Sequence, residues 1–270
     1  MIHSTAIIHP KAELDPTVQV GPYAVIDADV VLGAGCVVGP HVHLTGKLRA
    51  GAGNRFHTGC VIGDAPQDLK YAGAPTGLRI GEHNVFREHV TVHRSNKLGE
   101  DTVIGSHNFL MAHSHVGHNA QLANHIILAN GALLAGHVTV QDRVFLSGNC
   151  LAHQFTRIGT LALMQGGAAI SKDLPPYTVV AHGVNVLCGL NSVGLRRAGL
   201  SVEDRMELKR LYHALFRSGK NLRTALAAAR SETHGEHGRV LLDFIATSKR
   251  GVCTDVRVLA EREDTGENSS

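Results

Sequence analysis

Seven histidines, His107, His113, His115, His118, His125, His137 and His153, crowd the middle of a 270-residue chain that carries 19 in all. Imidazole is the side chain best matched to moving a proton near neutral pH. Positions 118, 136 and 154 are eighteen apart, so in a chain that coils with that period His118, Gly136 and Gln154 stand in one column. Asn119, His137 and His153 then lie beside them. A base with a glycine one coil above it is suggestive, because a backbone N–H without a side chain in the way can receive a developing oxyanion. A lone histidine on a regular surface is usually only a solvated side chain. His107 and His125 have no such support and stay in that class.

The period is real. Large apolar residues recur every sixth position at Ile8, Leu14, Val20, Ile26, Leu32, Val38, Leu44, Phe56 and Ile62, with Ala50 the weak member. The same phase returns at Ile80, Phe86 and Val92, then runs from Ile104 to Ile170. Two residues before each lies a second, usually smaller one, such as Ala24, Val30, Cys36 and Asn54. Steps of six exclude an amphipathic helix, whose apolar face recurs at three and four. The stretches Asp64–Gly77 and Arg94–Asp101 lack the pattern and read as loops extruded from a regular body. Glycines after the aliphatic residue (Gly21, Gly33, Gly39, Gly63, Gly81, Gly105, Gly117, Gly159) are expected to supply turns with unrestricted φ.

Beyond the DLPPY segment (Asp173–Tyr177) the composition changes: no proline follows Pro176, and charged residues become dense. Ser201 with Asp204 forms a capping box. Met206, Leu208, Leu211, Tyr212, Leu215 and Phe216 make a helical stripe that should end at Gly219. Further helices are expected over 221–230 and 240–247, with a disordered end at 261–270.

Composition excludes several classes. The longest uncharged segment is broken by Pro175, Pro176, His182, Asn185 and Asn191, so no membrane-spanning helix is expected. The start has neither a basic region nor an apolar stretch, so no secretory signal is expected and the cytoplasm is the expected location. Five separated cysteines without a CxxC pair argue against a disulfide framework or a cysteine-built zinc site. A formal charge of +3 is too small to imply nucleic acid.

Six-residue repeats with an inward aliphatic resemble the hexapeptide proteins, whose fold is a left-handed parallel β-helix. The resemblance covers about residues 2–172 and implies a mainly β protein with a small C-terminal α-helical domain, divided at 1–186 and 187–270. Narrower motifs are QDLKYAG (67–73), HVTVHR (89–94), AHSHVGH (112–118), LAGHVTV (134–140), AHQF (152–155), DLPPY and GLRRAGLS (194–201). In order, they resemble the UDP-N-acetylglucosamine O-acyltransferase family of lipid A synthesis.

That resemblance implies transfer of a 3-hydroxyacyl chain from acyl carrier protein to the glucosamine 3-hydroxyl of UDP-N-acetylglucosamine, without metal or cofactor, in a homotrimer whose sites lie between subunits. It implies a Gram-negative source. His118 matches the general base and Gly136 the oxyanion donor. His115, His137 and His153 match histidines that orient substrate or acyl chain, and Asp68 and Lys70 match groups that hold the sugar nucleotide and acyl group. Gln67, Gln154, Asn191 and Arg197 match contacts to the nucleotide or its phosphates, and Gly166 sits where acyl-chain length is set. Two positions depart: Asn119 stands where the family often has Asp, and Ala198 where it often has a second arginine. Arg217, Lys220 and Arg223 are candidates to receive the acidic carrier protein.

A rival from another class is a zinc enzyme of the γ-carbonic anhydrase type, with ligands drawn from His113, His115, His118 and His137. It leaves QDLKYAG and the helical tail without a role. The later N-acyltransferase of the same pathway is a nearer rival, but its family has a separate N-terminal domain, whereas the repeats here begin by Ile8. A non-catalytic scaffold explains the repeat and not the histidine column.

Overall fold

The structure, a computed structural model, describes residues 1–255. Each hexapeptide forms a strand of about two residues whose second side chain points inward, as in Val25–Ile26 and Val31–Leu32. Three parallel sheets result, and from Ile7–Ile8 through Leu151–Ala152 each strand pairs with the third strand that follows it. The first face runs from Ile7–Ile8 to Gly183–Val184, the second from Glu13–Leu14 to Arg157–Ile158, and the third begins at Gln19–Val20. This is the expected β-helix. Ile26, Leu32, Leu44, Ile62 and their successors fill its interior, together with the smaller set at Ala24, Val30, Cys36 and Val42.

Register gives the coil length and its exceptions. Val25 pairs with His43 and His115 with Leu133, eighteen residues on, whereas Val61 pairs with Thr91 and Thr91 with His115. Those steps of thirty and twenty-four contain the two expected loops, which leave the body after Val61–Asp64 and after Thr91–His93. Both insertions are multiples of six, so the inward phase survives them.

The glycine expectation needs correction. Of the eight corner glycines, only Gly63 has positive φ. The others are required by close approach: a Cβ on Gly33 would lie 2.8 Å from the carbonyl carbon of Gly51, and one on Gly117 would lie 2.7 Å from that of Ala135. The left-handed residue comes two positions later, and it is Gly35 and Gly53 early in the chain but His83, His107 and His125 further on. Coils about 4.8 Å apart stack these imidazoles face to face, His83 on His107 at 5.3 Å and His107 on His125 at 5.1 Å. His89 and His113 do the same at another corner, 5.2 Å apart. Much of the histidine excess is therefore corner structure.

One inward column is polar. Asn54, Asn84 and Asn108 are fully buried, and each amide oxygen accepts the backbone N–H of a residue one coil on, at Asn84, Asn108 and Ile126. The cysteines are free, and Cys36, Cys60, Cys150 and Cys253 are buried fillers. Burial pushes the Cys60 thiol up to about 12.

Past the last parallel coil, Val186–Leu190 turns back antiparallel on Thr178–Val180, and Thr254–Asp255 adds to its outer edge. Between them lie α1 (Ser192–Arg197), α2 (Val202–Phe216), α3 (Leu222–Arg230) and α4 (Glu236–Ala246). Ser201 caps α2 and Asn221 caps α3, as their sequences require. The fourth helix begins four residues before the expected 240, and α1 was not anticipated. Arg157 fastens this part to the coils: Nε donates to Asp173 at 2.8 Å, Nη2 donates to Phe244 O at 2.8 Å, and the guanidinium lies over the Phe244 ring. The 261–270 segment lies outside the described residues.

The two kinds of glycine should separate experimentally. Gly33→Ala drives a Cβ into the next coil's backbone and should cost about 2 kcal/mol or more, whereas Gly35→Asn keeps a left-handed residue in open space and should stay within about 0.5 kcal/mol. Urea unfolding of both variants measures this, and equal costs would refute the distinction.

Candidate active site

The corner between the first and second faces carries the site. The 65–76 loop, the 94–101 loop, His118, Gly136 and Gln154 leave that same corner on five successive coils. No local propensity places the two loops there. The eighteen-residue coil does, because both interruptions follow first-face strands.

His118 is oriented by an amide. Its Nδ1 lies 2.8 Å from Asn119 Oδ1, which also accepts the Asn96 backbone N–H at 3.1 Å. A backbone N–H can only donate, so the atom it reaches is the amide oxygen, and His118 Nδ1 must carry the proton. Nε2 is then the basic nitrogen. Asn119 is buried and left-handed at φ 58, its Nδ2 donates to Ser95 Oγ at 2.7 Å, and its own N–H donates to Thr102 Oγ1 at 2.7 Å. Asparagine tolerates that backbone better than most residues.

Gly136 lies one coil on, and a Cβ there would sit 2.7 Å from His118 Nε2. Only glycine admits the ring. Its neighbours spend their N–H groups on the previous and next coils, Ala135 on Ala152 O and His137 on His118 O, while that of Gly136 meets no acceptor among the described residues. The same place in the hexapeptide is taken by Pro22 and Pro40, each followed by a left-handed residue. A position that accepts proline contributes no donor to the fold, so the Gly136 N–H is available to a ligand.

These groups border a cavity of about 570 Å³ lined also by Gln67, His93, His115, His153 and Gln154. Its other wall is apolar: in register with His115 stand Leu133, Leu151, Ala169 and Val184. Leu133, Leu151 and Val184 point outward and are 39%, 46% and 61% exposed. At about 4.8 Å per coil they form an apolar track about 19 Å long from His115. The histidines beside it are held neutral. Burial, reinforced by His93 and His118, pushes His115 down to about 4, and burial likewise lowers His93 and His137. His115 Nδ1 is 2.8 Å from Thr91 Oγ1, and the His137 ring stands edge-on to His118 with centroids 5.2 Å apart.

From the first loop, Asp68 accepts the Lys70 N–H at 2.9 Å and the Asn96 amide at 2.6 Å. Those donors, with His118 nearby, hold its carboxyl below the usual range. Lys70 is exposed at the loop tip beside a fully exposed Leu69. Arg94 ties the base of the loop, donating through Nη1 to Gly63 O at 2.8 Å.

Other expected residues stand apart. Asn191 caps α1 by accepting the Gly194 N–H at 3.0 Å and donates to Leu161 O at 2.9 Å. Arg197 is the exposed last residue of α1, and Gly166 is a corner residue one coil above Gly148, outside the cavity lining. Arg217 is not a free cation: its Nε donates to the buried Asp255 carboxylate at 2.9 Å. Sequence reasoning missed Ser95, Asn96 and Thr102, which lie in or beside a loop with no periodicity to read. It also missed His93, a buried residue in a quoted strand, and Arg250, whose Nη2 lies 3.4 Å from His153 Nδ1. Among the described residues no three His, Cys, Asp or Glu side chains are arranged to hold a metal, and His113 sits at a different corner from His118 and His137.

Fold and site together define a hexapeptide-repeat protein of the bacterial transferase type, and the family model described as bacterial transferase hexapeptide matches residues 11–46. The model for domain 2 of UDP-N-acetylglucosamine O-acyltransferase matches residues 173–253. Over 258 residues the chain is 45% identical to a Herminiimonas arsenicoxydans protein named acyl-(acyl-carrier-protein)–UDP-N-acetylglucosamine O-acyltransferase, covering 93% of this chain and 98% of that one. A Janthinobacterium relative of the same name is 46% identical over 259 residues, with the same coverage. The solved UDP-N-acetylglucosamine acyltransferase of Francisella novicida superposes with TM-score 0.92 at 33% identity and covers 96% of each chain. That of Campylobacter jejuni gives 0.88 at 30% identity, covering 94% of this chain and 99% of the other. The chain belongs to the UDP-N-acetylglucosamine O-acyltransferase family. The carbonic anhydrase alternative finds no support in these relatives.

The buried imidazoles make stability depend on acid. His115 takes up its proton near pH 6.5 when unfolded and only near 4 when folded, so its contribution is complete above 6.5 and is lost as pH falls towards 4. Denaturant unfolding at pH 7.5, 5.5 and 4.5 should show a progressive loss that is smaller in His115→Gln. An equal loss in both proteins would show that His115 is not the group responsible.

Proposed function

We infer that the protein is an O-acyltransferase that moves a 3-hydroxyacyl chain from acyl carrier protein to the 3-hydroxyl of UDP-N-acetylglucosamine, the first step of lipid A synthesis. The observation that carries this reading, beside family membership, is a basic imidazole nitrogen packed against Gly136, whose backbone N–H the fold does not use.

His118 Nε2 removes the proton of the sugar 3-hydroxyl, and that oxygen attacks the thioester carbonyl carbon. The carbonyl oxygen gains the negative charge, which the Gly136 N–H stabilises at close range in a partly dry cleft. Collapse breaks the C–S bond, and the leaving thiolate takes the proton back from His118. Asn119 holds the ring in the required tautomer without adding charge, so assistance by a carboxylate at that position is absent. Asp68, Lys70 and Gln67 hold the sugar nucleotide and reacting acyl group, and His115, His137, His153 and Gln154 orient the substrates along the corner. The acyl chain follows the apolar track of Leu133 and Leu151, with Gly166 at the place where its length is limited.

Asn191 and Arg197 lie away from this chain's cavity, and we assign their substrate contacts to the cleft of a neighbouring subunit in a homotrimer. The exposed Leu69, Phe155 and Val184 support such an assembly, because apolar side chains on the outside of a prism gain by being covered. The β-helix (1–186) carries the chemistry. The helical part (187–270) meets the acidic carrier protein, with Lys220 and Arg223 as exposed cations and Arg217 confined to its ion pair. None of the described helices is long and apolar enough to cross a membrane. The reading places the enzyme in the cytoplasm.

Purified protein given 3-hydroxyacyl carrier proteins and UDP-N-acetylglucosamine under chelation should turn over. His118→Ala should lower kcat by at least about 10³-fold. Gly136→Ala, whose Cβ cannot coexist with the ring, should lose about 10²-fold or more while melting near wild type. No turnover by a folded wild type with any chain length overturns the reading, and turnover only with the 3-amino sugar nucleotide redirects it to an N-acyl product.

A further inference from the structure

We infer that Asn96 is a positioning residue that ties the sugar-nucleotide loop to the catalytic base, so that Asp68 and His118 are placed as one unit. The inference rests on the acyltransferase reading and extends it to a residue without a role in it so far.

Asn96 uses both ends. Its side-chain Nδ2 donates to Asp68 Oδ2 at 2.6 Å, and its backbone N–H donates to Asn119 Oδ1 at 3.1 Å. Asn119 Oδ1 in turn accepts from His118 Nδ1 at 2.8 Å. Three hydrogen bonds thus connect a carboxylate on the 65–76 loop to an imidazole two coils further along the corner. The connection is anchored at Ser95, whose hydroxyl accepts the Asn119 amide at 2.7 Å and donates to Lys97 O at 3.0 Å. Asn119 is pinned from its other side by Thr102 Oγ1. No part of this chain of bonds carries a charge except Asp68.

Neutrality has a consequence for selectivity of placement. A carboxylate at 119 would hold His118 through charge and would do so whatever the loops did. An amide at 119 holds it through hydrogen-bond geometry alone, and one of the two bonds that satisfy its oxygen comes from Asn96. Displacing Asp68 therefore pulls on the residue that sets the amide, whereas a sugar nucleotide that engages Asp68 settles the base at the same time. The Asn96 side chain is the only part of the link that substitution removes cleanly, because the backbone N–H to Asn119 survives in an alanine variant.

Asn96→Ala should raise KM for UDP-N-acetylglucosamine by about tenfold or more, with a smaller fall in kcat, a melting temperature near wild type and an unchanged pH profile. In an Asp68→Asn background the same change should add less than about twofold, since the bond it removes has already lost its charge. Asn96→Asp sets a second carboxylate against Asp68 and should be worse than alanine, recovering as pH falls towards the carboxylate range. Asn119→Asp is the complementary variant. His118 is faced by His93 and His115 from the first face, His137 from the next coil and Asp68 from the loop. A new carboxylate beside it should move the acidic limb of kcat/KM up by about one pH unit while leaving KM for the nucleotide near wild type. Calorimetric binding of UDP-N-acetylglucosamine to wild type and Asn96→Ala gives a readout that needs no turnover.

A wild-type KM in Asn96→Ala, or strict additivity with Asp68→Asn, overturns the inference while leaving the acyltransferase reading intact. Failure of wild type to bind or turn over the nucleotide would instead remove that reading.

Discussion

Everything in this molecule depends on the backbone hydrogen bonds that stack one coil of eighteen residues on the next. They run from strand to strand along three faces, and each strand is too short to stand alone. Stability in such a stack is nearest-neighbour in character, so every coil must present the same phase of inward side chains to the coils beside it. The two loops of the site, insertions of twelve and six residues, leave the stack at a corner and return to it in phase, and the stack delivers them to one corner beneath His118 without any contact having to guide them.

What the sequence displayed was this register. Ile8 to Ile170 read as the inner wall, and an eighteen-residue coil sets His118, Gly136 and Gln154 in one column. The interruptions at 64–77 and 94–101 were legible because a missing aliphatic is as visible as a present one. The glycines were read for the wrong reason, since sequence shows composition at a corner and not which of its residues turns left-handed. Histidine was ambiguous for the same cause. His107 and His118 are both imidazoles at corners, and only the folded structure shows that one stacks on His83 of the coil before while the other bonds to the neighbouring Asn119.

The residues that stayed hidden are those whose partners are set by loop conformation. Ser95 and Asn96 follow a strand and carry no period, and their value arises only when the loop folds over Asn119. Helix α1 was invisible because its six residues hold too little pattern, and Asn191 was assigned to substrate without the sequence being able to show that it caps that helix. Arg217 illustrates the converse error: a cation in a charge-rich tail looks available until its carboxylate, Asp255, is found thirty-eight positions away.

The electrostatics of the cleft follow from the same architecture. Imidazoles packed along the coils lose water, which keeps His93, His115 and His137 uncharged beside His118. Four protonated imidazoles in such a space would repel one another and any proton arriving at His118. With the neighbours neutral and residue 119 an amide, a carboxylate that acts on His118 is that of Asp68, held on a loop and not on the coils. The rigid stack thus holds His118 Nε2 and the unused Gly136 N–H at fixed separation, while the carboxylate of Asp68 stands on a loop outside the stack.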